Sequence, residues 1–177
     1  MNILSISGSL RAKSSNTSLL EAARILAPEG MLIERYLGLG RLPHFNPDLE
    51  NSALAPVTDL ESKVGRADGL LISCPEYARG IPGSFKNALD WLVGSTVFPG
   101  KFVAILNGSP RASAAQAALR LVLETMSAHV IEEASITLPL VEKQLDPQAI
   151  AADPVFSSQL RHALRALAAR IQEKLRS

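Results

Sequence analysis

Ten consecutive residues near the start of the chain, Gly8-Ser9-Leu10-Arg11-Ala12-Lys13-Ser14-Ser15-Asn16-Thr17, hold an unusual number of hydrogen-bond donors. Hydroxyls stand at Ser9, Ser14, Ser15 and Thr17, an amide at Asn16 and a guanidinium at Arg11. A short apolar run precedes the segment and a helical apolar period follows it. These donors therefore gather where the first N–H groups of a helix have no intrahelical acceptor and face an anion. Arg11 adds a planar fork suited to phosphate oxygens. The chemistry is that of a cradle for a terminal phosphate. A plain polar turn, with Ser14, Ser15 or Asn16 capping the helix, would explain one or two of these residues. It leaves the glycine, the other hydroxyls and Arg11 without a reason.

Two better-known phosphate motifs are ruled out by spacing. The dinucleotide fingerprint needs G-x-G-x-x-G, but the next glycine after Gly8 is Gly30. The P-loop needs glycine before its lysine, and Ala12 precedes Lys13. Helix-end electrostatics supply only ~0.3–1 kcal/mol at an exposed site. Micromolar binding needs roughly 8 kcal/mol, so the remainder of the ligand must contribute much of the affinity.

A second segment, residues 73–91, has a different character. Pro75, Gly80, Pro82 and Gly83 give a stiff backbone that a ligand can approach closely, and exposed amides there can bond the polar edge of a heterocycle. Tyr77 can pack on a planar ring. Pro75, Glu76, Tyr77 and Ala78 are accordingly read as a shelf for a ring system. Leu89 and Trp91 are read as core residues of the amphipathic helix that follows.

The positioning elements alternate. Residues 2–7 form a short apolar strand. From Asn16, the residues Leu19, Leu20, Ala23, Leu26 and Ala27 recur at helical steps until Pro28 and Gly30. Strands follow at 31–37, 69–73 and 102–106, with a fifth, weaker one within 130–138. Helices are expected at 59–67, 84–93 and 114–128, and from Ser158 onward through Leu160, Ala163, Leu164, Leu167, Ile171 and Leu175. Such alternation predicts an α/β fold: a doubly wound, five-stranded parallel sheet of flavodoxin-like order 2-1-3-4-5, with helices on both faces. In that order the first and third loops meet at the switch point, where ligands sit beyond the strand C-termini. The long Pro-, Asn- and Gly-containing loop 38–56 is read as functional.

Composition narrows the class. The 177 residues are 47% hydrophobic and 20% charged, as in an ordinary globular protein, and suffice for a single domain over 1–177. A net charge of +1 gives no reason to expect nucleic acid or an anionic membrane as partner. Cys74 is the sole cysteine, which excludes an internal disulfide and suits a reducing compartment. The apolar start is too short for a signal peptide or a membrane span. The chain is read as cytoplasmic.

Gly8-Ser9-Leu10-Arg11-x-x-Ser14-x-Asn16 resembles the G-S-x-R-x-x-S-x-N motif of the NAD(P)H-dependent FMN reductase family. Pro75-Glu76-Tyr77-x-x-Gly80-x-Pro82-Gly83-x-x-Lys86-Asn87-Ala88-Leu89-Asp90-Trp91 is similar to that family's second signature, with Phe85 where leucine is usual. The segment 42–50 is similar to the family's stretch after strand two. The resemblance implies that Ser9, Arg11, Ser14, Ser15 and Asn16, with Thr17 beside them, hold the phosphate of FMN. It further implies that Pro75, Glu76, Tyr77 and Ala78 line the isoalloxazine ring and that Asn107, Gly108 and Ser109 form a third wall. NADPH or NADH would be the hydride donor and a quinone, azo compound, flavin or metal ion the acceptor. The resemblance also implies a homodimer or homotetramer; the apolar helices 84–93 and 114–128 supply candidate contact faces, unless the sheet covers them wholly.

Other residues read more plainly. Cys74 has no activating cation beside it and is taken as a small core residue. His44, His129 and His162 lack metal-ligand spacing, so no metal is expected. Asp90 and Glu76 suggest acid/base chemistry, but a flavin accepts hydride without it. The competing function is a flavodoxin-like electron carrier or flavin-binding regulator without nicotinamide turnover. A dedicated carrier is typically acidic, which this chain is not.

Overall fold

The computed structural model describes residues 1–50, 52–140 and 146–176. In chain order the elements are β1 (Asn2–Ser7), α1 (Ser15–Ile25), β2 (Leu32–Arg35), α2 (Ala55–Arg66), β3 (Gly69–Ser73), α3 (Gly83–Val93), β4 (Phe102–Asn107), α4 (Ser113–Thr125), β5 (His129–Val130), β6 (Ile136–Thr137), α5 (Pro147–Ala152) and α6 (Pro154–Arg176). The strands are parallel in the order β2-β1-β3-β4-β5, and β6 also pairs with β4. This is the doubly wound arrangement that alternating periods require.

Each central strand feeds both faces of the sheet by its two-residue alternation. On β3, Leu71 enters the core under α1, α5 and α6, while Leu70 and Ile72 enter the core under α2, α3 and α4. On β4, Ala104 and Leu106 join the first core, and Val103 and Ile105 the second. Burial on both faces explains why these strands are continuously apolar.

Two expectations are corrected. The stretch 130–138 is not one fifth strand but two short strands, with a 3-10 turn at Glu132–Ala134 between them. The chain leaves the ladder at this turn. The Ser135 hydroxyl replaces the missing backbone partner by accepting the N–H of Ile105 at 3.1 Å. The last helix begins at Pro154, not at Ser158, and is preceded by the unanticipated α5. Both starts share one device, an aspartate followed by proline. Asp146 accepts the N–H of Ala149 at 2.7 Å, and Asp153 that of Phe156 at 3.0 Å.

Candidate functional site

The sheet order sets the loops after β1, β3 and β4 side by side at the strand C-termini. The register is fixed where they diverge: Ser7 pairs with Ser73, and the N–H of Gly8 donates to the Ser73 carbonyl at 2.8 Å. A Cβ at Gly8 would stand 3.3 Å from Cys74, Pro75 and Phe85, tighter than ordinary packing. Glycine therefore lets the first loop lie directly against the third. Between the three loops is an open cleft of about 320 Å³.

The cleft brings together nearly all residues predicted from sequence. Ser9, Arg11, Ser14, Ser15 and Asn16 line it from the first loop, Pro75, Glu76 and Tyr77 from the third, and Asn107, Gly108 and Ser109 from the fourth. Thr17 and Ala78 are not on its lining. The Thr17 hydroxyl is 3.0 Å from that of Ser7 and braces the end of β1. Ala78 sits at the tip of a tight turn beyond the cleft.

The first loop has spare donors. Ser14 is the N-cap of α1 by position, yet its side chain makes no capping bond, although it is only 8% exposed. The first N–H groups of α1 are thus left to the cleft. Asn16 spends its carbonyl oxygen on the Ser73 hydroxyl at 2.9 Å, which fixes the side chain and leaves its NH₂ group available. Ser9 is drawn inward instead, its hydroxyl accepting the N–H of Arg11. Together these groups leave several donors on the wall of the cleft.

The third loop is shaped by a hairpin turn. Tyr77 and Gly80 exchange backbone bonds of 3.1 and 3.0 Å, and Ala78 and Arg79 between them have φ of 49° and 63°. These values are those of a type I′ turn, which usually takes Asn and Gly. The Glu76 carboxylate is tied outside the loop, accepting the N–H of Ala115 at 3.0 Å. Gln116 donates to the Cys74 carbonyl at 3.2 Å. The shelf is thereby clamped to α4.

The fourth loop closes on itself. The Asn107 side chain accepts the N–H of Ser109 at 3.1 Å and donates to the Ser109 carbonyl at 2.7 Å. Arg111 and Ala112, which carry no local sequence signal for this site, also line the cleft. Beyond the third loop, the segment before α2 is pinned to α3. Asn87 and Trp91 both donate to the Pro43 carbonyl, at 2.9 and 2.8 Å, and Phe45 stacks edge-on against Trp91. Trp91 is a buried residue, and Asp90 is paired with Lys86. Cys74 is fully buried, and desolvation pushes its thiol up to about 12.

A profile of the family described as NADPH-dependent FMN reductase matches residues 1–143. The chain belongs to that family. It is 31% identical over 173 residues to an NAD(P)H-dependent FMN reductase of Pseudomonas aeruginosa, covering 94% of this chain and 93% of that one. It is 33% identical to an NADPH:quinone oxidoreductase of Arabidopsis thaliana, covering 96% and 91% respectively. In structure it is similar to a flavoenzyme NAD(P)H:(acceptor) oxidoreductase from Paracoccus denitrificans, with a TM-score of 0.79, 30% identity and 97% of each chain covered. This FMN reductase family membership makes the chain an oxidoreductase of flavodoxin-like fold.

Proposed function

We propose that the cleft holds FMN and that the chain is an NAD(P)H-dependent reductase for a small-molecule acceptor such as a quinone. The observation that carries this reading is the uncapped start of α1, where Ser14, Ser15, Asn16 and Arg11 present donors that no side-chain hydrogen bond among the described residues consumes. A dianionic phosphate fits that set. When bound, FMN accepts hydride from a reduced nicotinamide and returns the electrons to the acceptor.

The residues of this chain then have separate tasks. Arg11, Ser14, Ser15 and Asn16 hold the phosphate, with Ser9 shaping their loop and Thr17 bracing Ser7. Pro75, Glu76 and Tyr77 form the shelf, where the N–H group of Glu76, unused by the Tyr77–Gly80 turn, can donate to the polar edge of the ring. Asn107, Gly108 and Ser109 supply the rigid opposite wall. No titrating side chain is required for proton abstraction. Tyr77, 48% exposed, borders the open side of the cleft, on which a nicotinamide or quinone can stack.

The chain further acts in this reading as a homodimer or homotetramer in the cytoplasm. Val93 on α3 and Leu121 on α4 remain exposed where the sheet covers the rest of those apolar faces. No helix among the described residues is long and apolar enough to cross a membrane. Light scattering at micromolar concentration should return a multiple of the chain mass; one chain mass rejects the assembly. Titration with FMN and with riboflavin tests the cleft. FMN should bind at one per chain and more tightly, and equal affinities would overturn the phosphate assignment.

A further inference from the structure

A second concavity, of about 290 Å³, lies beyond the C-terminal end of β2. Its wall includes Tyr36, Gly38, Arg41, Ala55, Asp59 and Lys63. Tyr36 is 4% exposed and its hydroxyl has no hydrogen-bond partner, unlike any other buried side-chain polar atom among the described residues. A Cβ at Gly38 would collide with the phenol, so glycine lets the ring lie flat on the backbone and holds it there. A buried hydroxyl without a partner is costly, and a ligand oxygen would remove that cost.

The surrounding charges favour an anion. Lys63 pairs with Asp59 at 2.9 Å and sits over the Tyr36 ring, so these two charges cancel. Arg41 is then the cation in excess, and its side chain makes no ion pair among the described residues. At the same wall α2 begins without a side-chain cap: Leu54 precedes it and Pro56 follows Ala55, and the N–H of Ala55 has no acceptor among the described residues. A guanidinium, an unpartnered hydroxyl and a helix start thus share the wall of one concavity, a donor set that suits an oxyanion.

The position connects this concavity to the cleft. The turn at residues 39–41 forms its rim, and Gly40 on that turn packs against Leu10, whose neighbours Ser9 and Arg11 line the cleft. We propose that the concavity is a subsite for a phosphomonoester and that the 2′-phosphate of NADPH is the group it takes, an assignment that rests on the reductase reading above. Arg41 would be the main contact, with the Tyr36 hydroxyl and the α2 N-terminus completing it.

The FMN-loaded full chain, with its first-loop cradle filled, is titrated with 2′,5′-ADP, with 5′-AMP and with inorganic phosphate, followed by ³¹P NMR. The expected result is that 2′,5′-ADP binds at least about tenfold tighter than either of the others. Arg41→Gln should abolish that advantage. Tyr36→Phe should weaken binding severalfold while raising Tm by about 2–4 °C, because it removes an unpartnered buried hydroxyl. In turnover, Arg41→Gln should raise KM for NADPH about tenfold and leave kcat and KM for NADH unchanged. If inorganic phosphate binds as tightly as 2′,5′-ADP, the phosphate chemistry stands and the NADPH source is overturned. If none of the three binds, the subsite is overturned outright. Failure of the reductase reading would look different, because NADPH and NADH would both leave FMN-loaded protein oxidised whatever the titrations show.

Discussion

The Glu76 carboxylate accepts the backbone N–H of Ala115 at 3.0 Å, so the acidic residue of the shelf serves as the cap that α4 otherwise lacks. One bond therefore does two things. It satisfies the start of a helix and fixes the loop on which a ring would rest.

Glu76→Ala should cost about 0.5–2 kcal/mol, the usual range for a lost N-cap. At roughly 2–4 °C per kcal/mol for a chain of this size, the loss is readable in a thermal melt. FMN affinity should fall with it, and Glu76→Gln, which keeps an acceptor oxygen, should recover most of both. An unchanged melt in the alanine variant would mean that the bond does not hold the loop.

Arg11→Ala should leave the melt of the flavin-free chain unaltered and weaken FMN binding. Removing a charge-assisted contact costs on the order of 1.5–3 kcal/mol, or about ten- to a hundredfold in affinity. Riboflavin, which has no phosphate, should bind the variant as it binds the parent. Equal losses for both flavins would place Arg11 against the ring instead.

The turn at Ala78 and Arg79 holds two non-glycine residues at positive φ. Asparagine tolerates that region better than alanine, and Ala78→Asn should stabilise the chain by about 0.5–1 kcal/mol. A melt at higher temperature with FMN binding retained is the expected outcome. A lower melt would show that the turn is not the conformation in solution.

Burial pushes the Cys74 thiol from 9.0 up to about 12. Tyr36 moves from 10.0 to about 12, mainly through burial, with Asp59 reinforcing the shift and Arg41 opposing it. Both groups are neutral when protonated, and the unfolded chain loses these protons first. Their contribution to stability is intact below about pH 9 and is lost as pH rises towards 12. Urea midpoints should therefore fall across that window. Iodoacetamide at pH 8 should leave native Cys74 unmodified and alkylate it once the chain is unfolded; rapid native labelling would contradict the burial.

The parts of the site that were legible in the sequence are those made by short-range pattern. Gly8 to Asn16 could be read because a strand, a donor-rich loop and a helix start follow one another within a few residues. The central strands could be read because burial on both faces leaves continuous apolar runs such as Leu70-Leu71-Ile72. The clamp of Glu76 on Ala115 joins positions far apart in the chain and left no local trace. Arg111 and Ala112 entered the cleft only through the fold of the fourth loop. The break at Glu132–Ala134 left no clear local signal within the expected strand 130–138, and the Ser135 hydroxyl that repairs the ladder depends on tertiary placement. The aspartate-proline pairs at 146–147 and 153–154 did carry a local signal for α5 and the start of α6, one outweighed by the stronger apolar period further on.

The reductive half-reaction tests the central claim most directly. FMN-loaded protein is mixed anaerobically with NADPH or NADH while the flavin absorbance is followed, and a quinone is then added. The account predicts that a nicotinamide bleaches the flavin and that the quinone restores its colour. Bleaching by dithionite but by neither nicotinamide would contradict it, and the chain would then be a flavin-binding carrier or regulator.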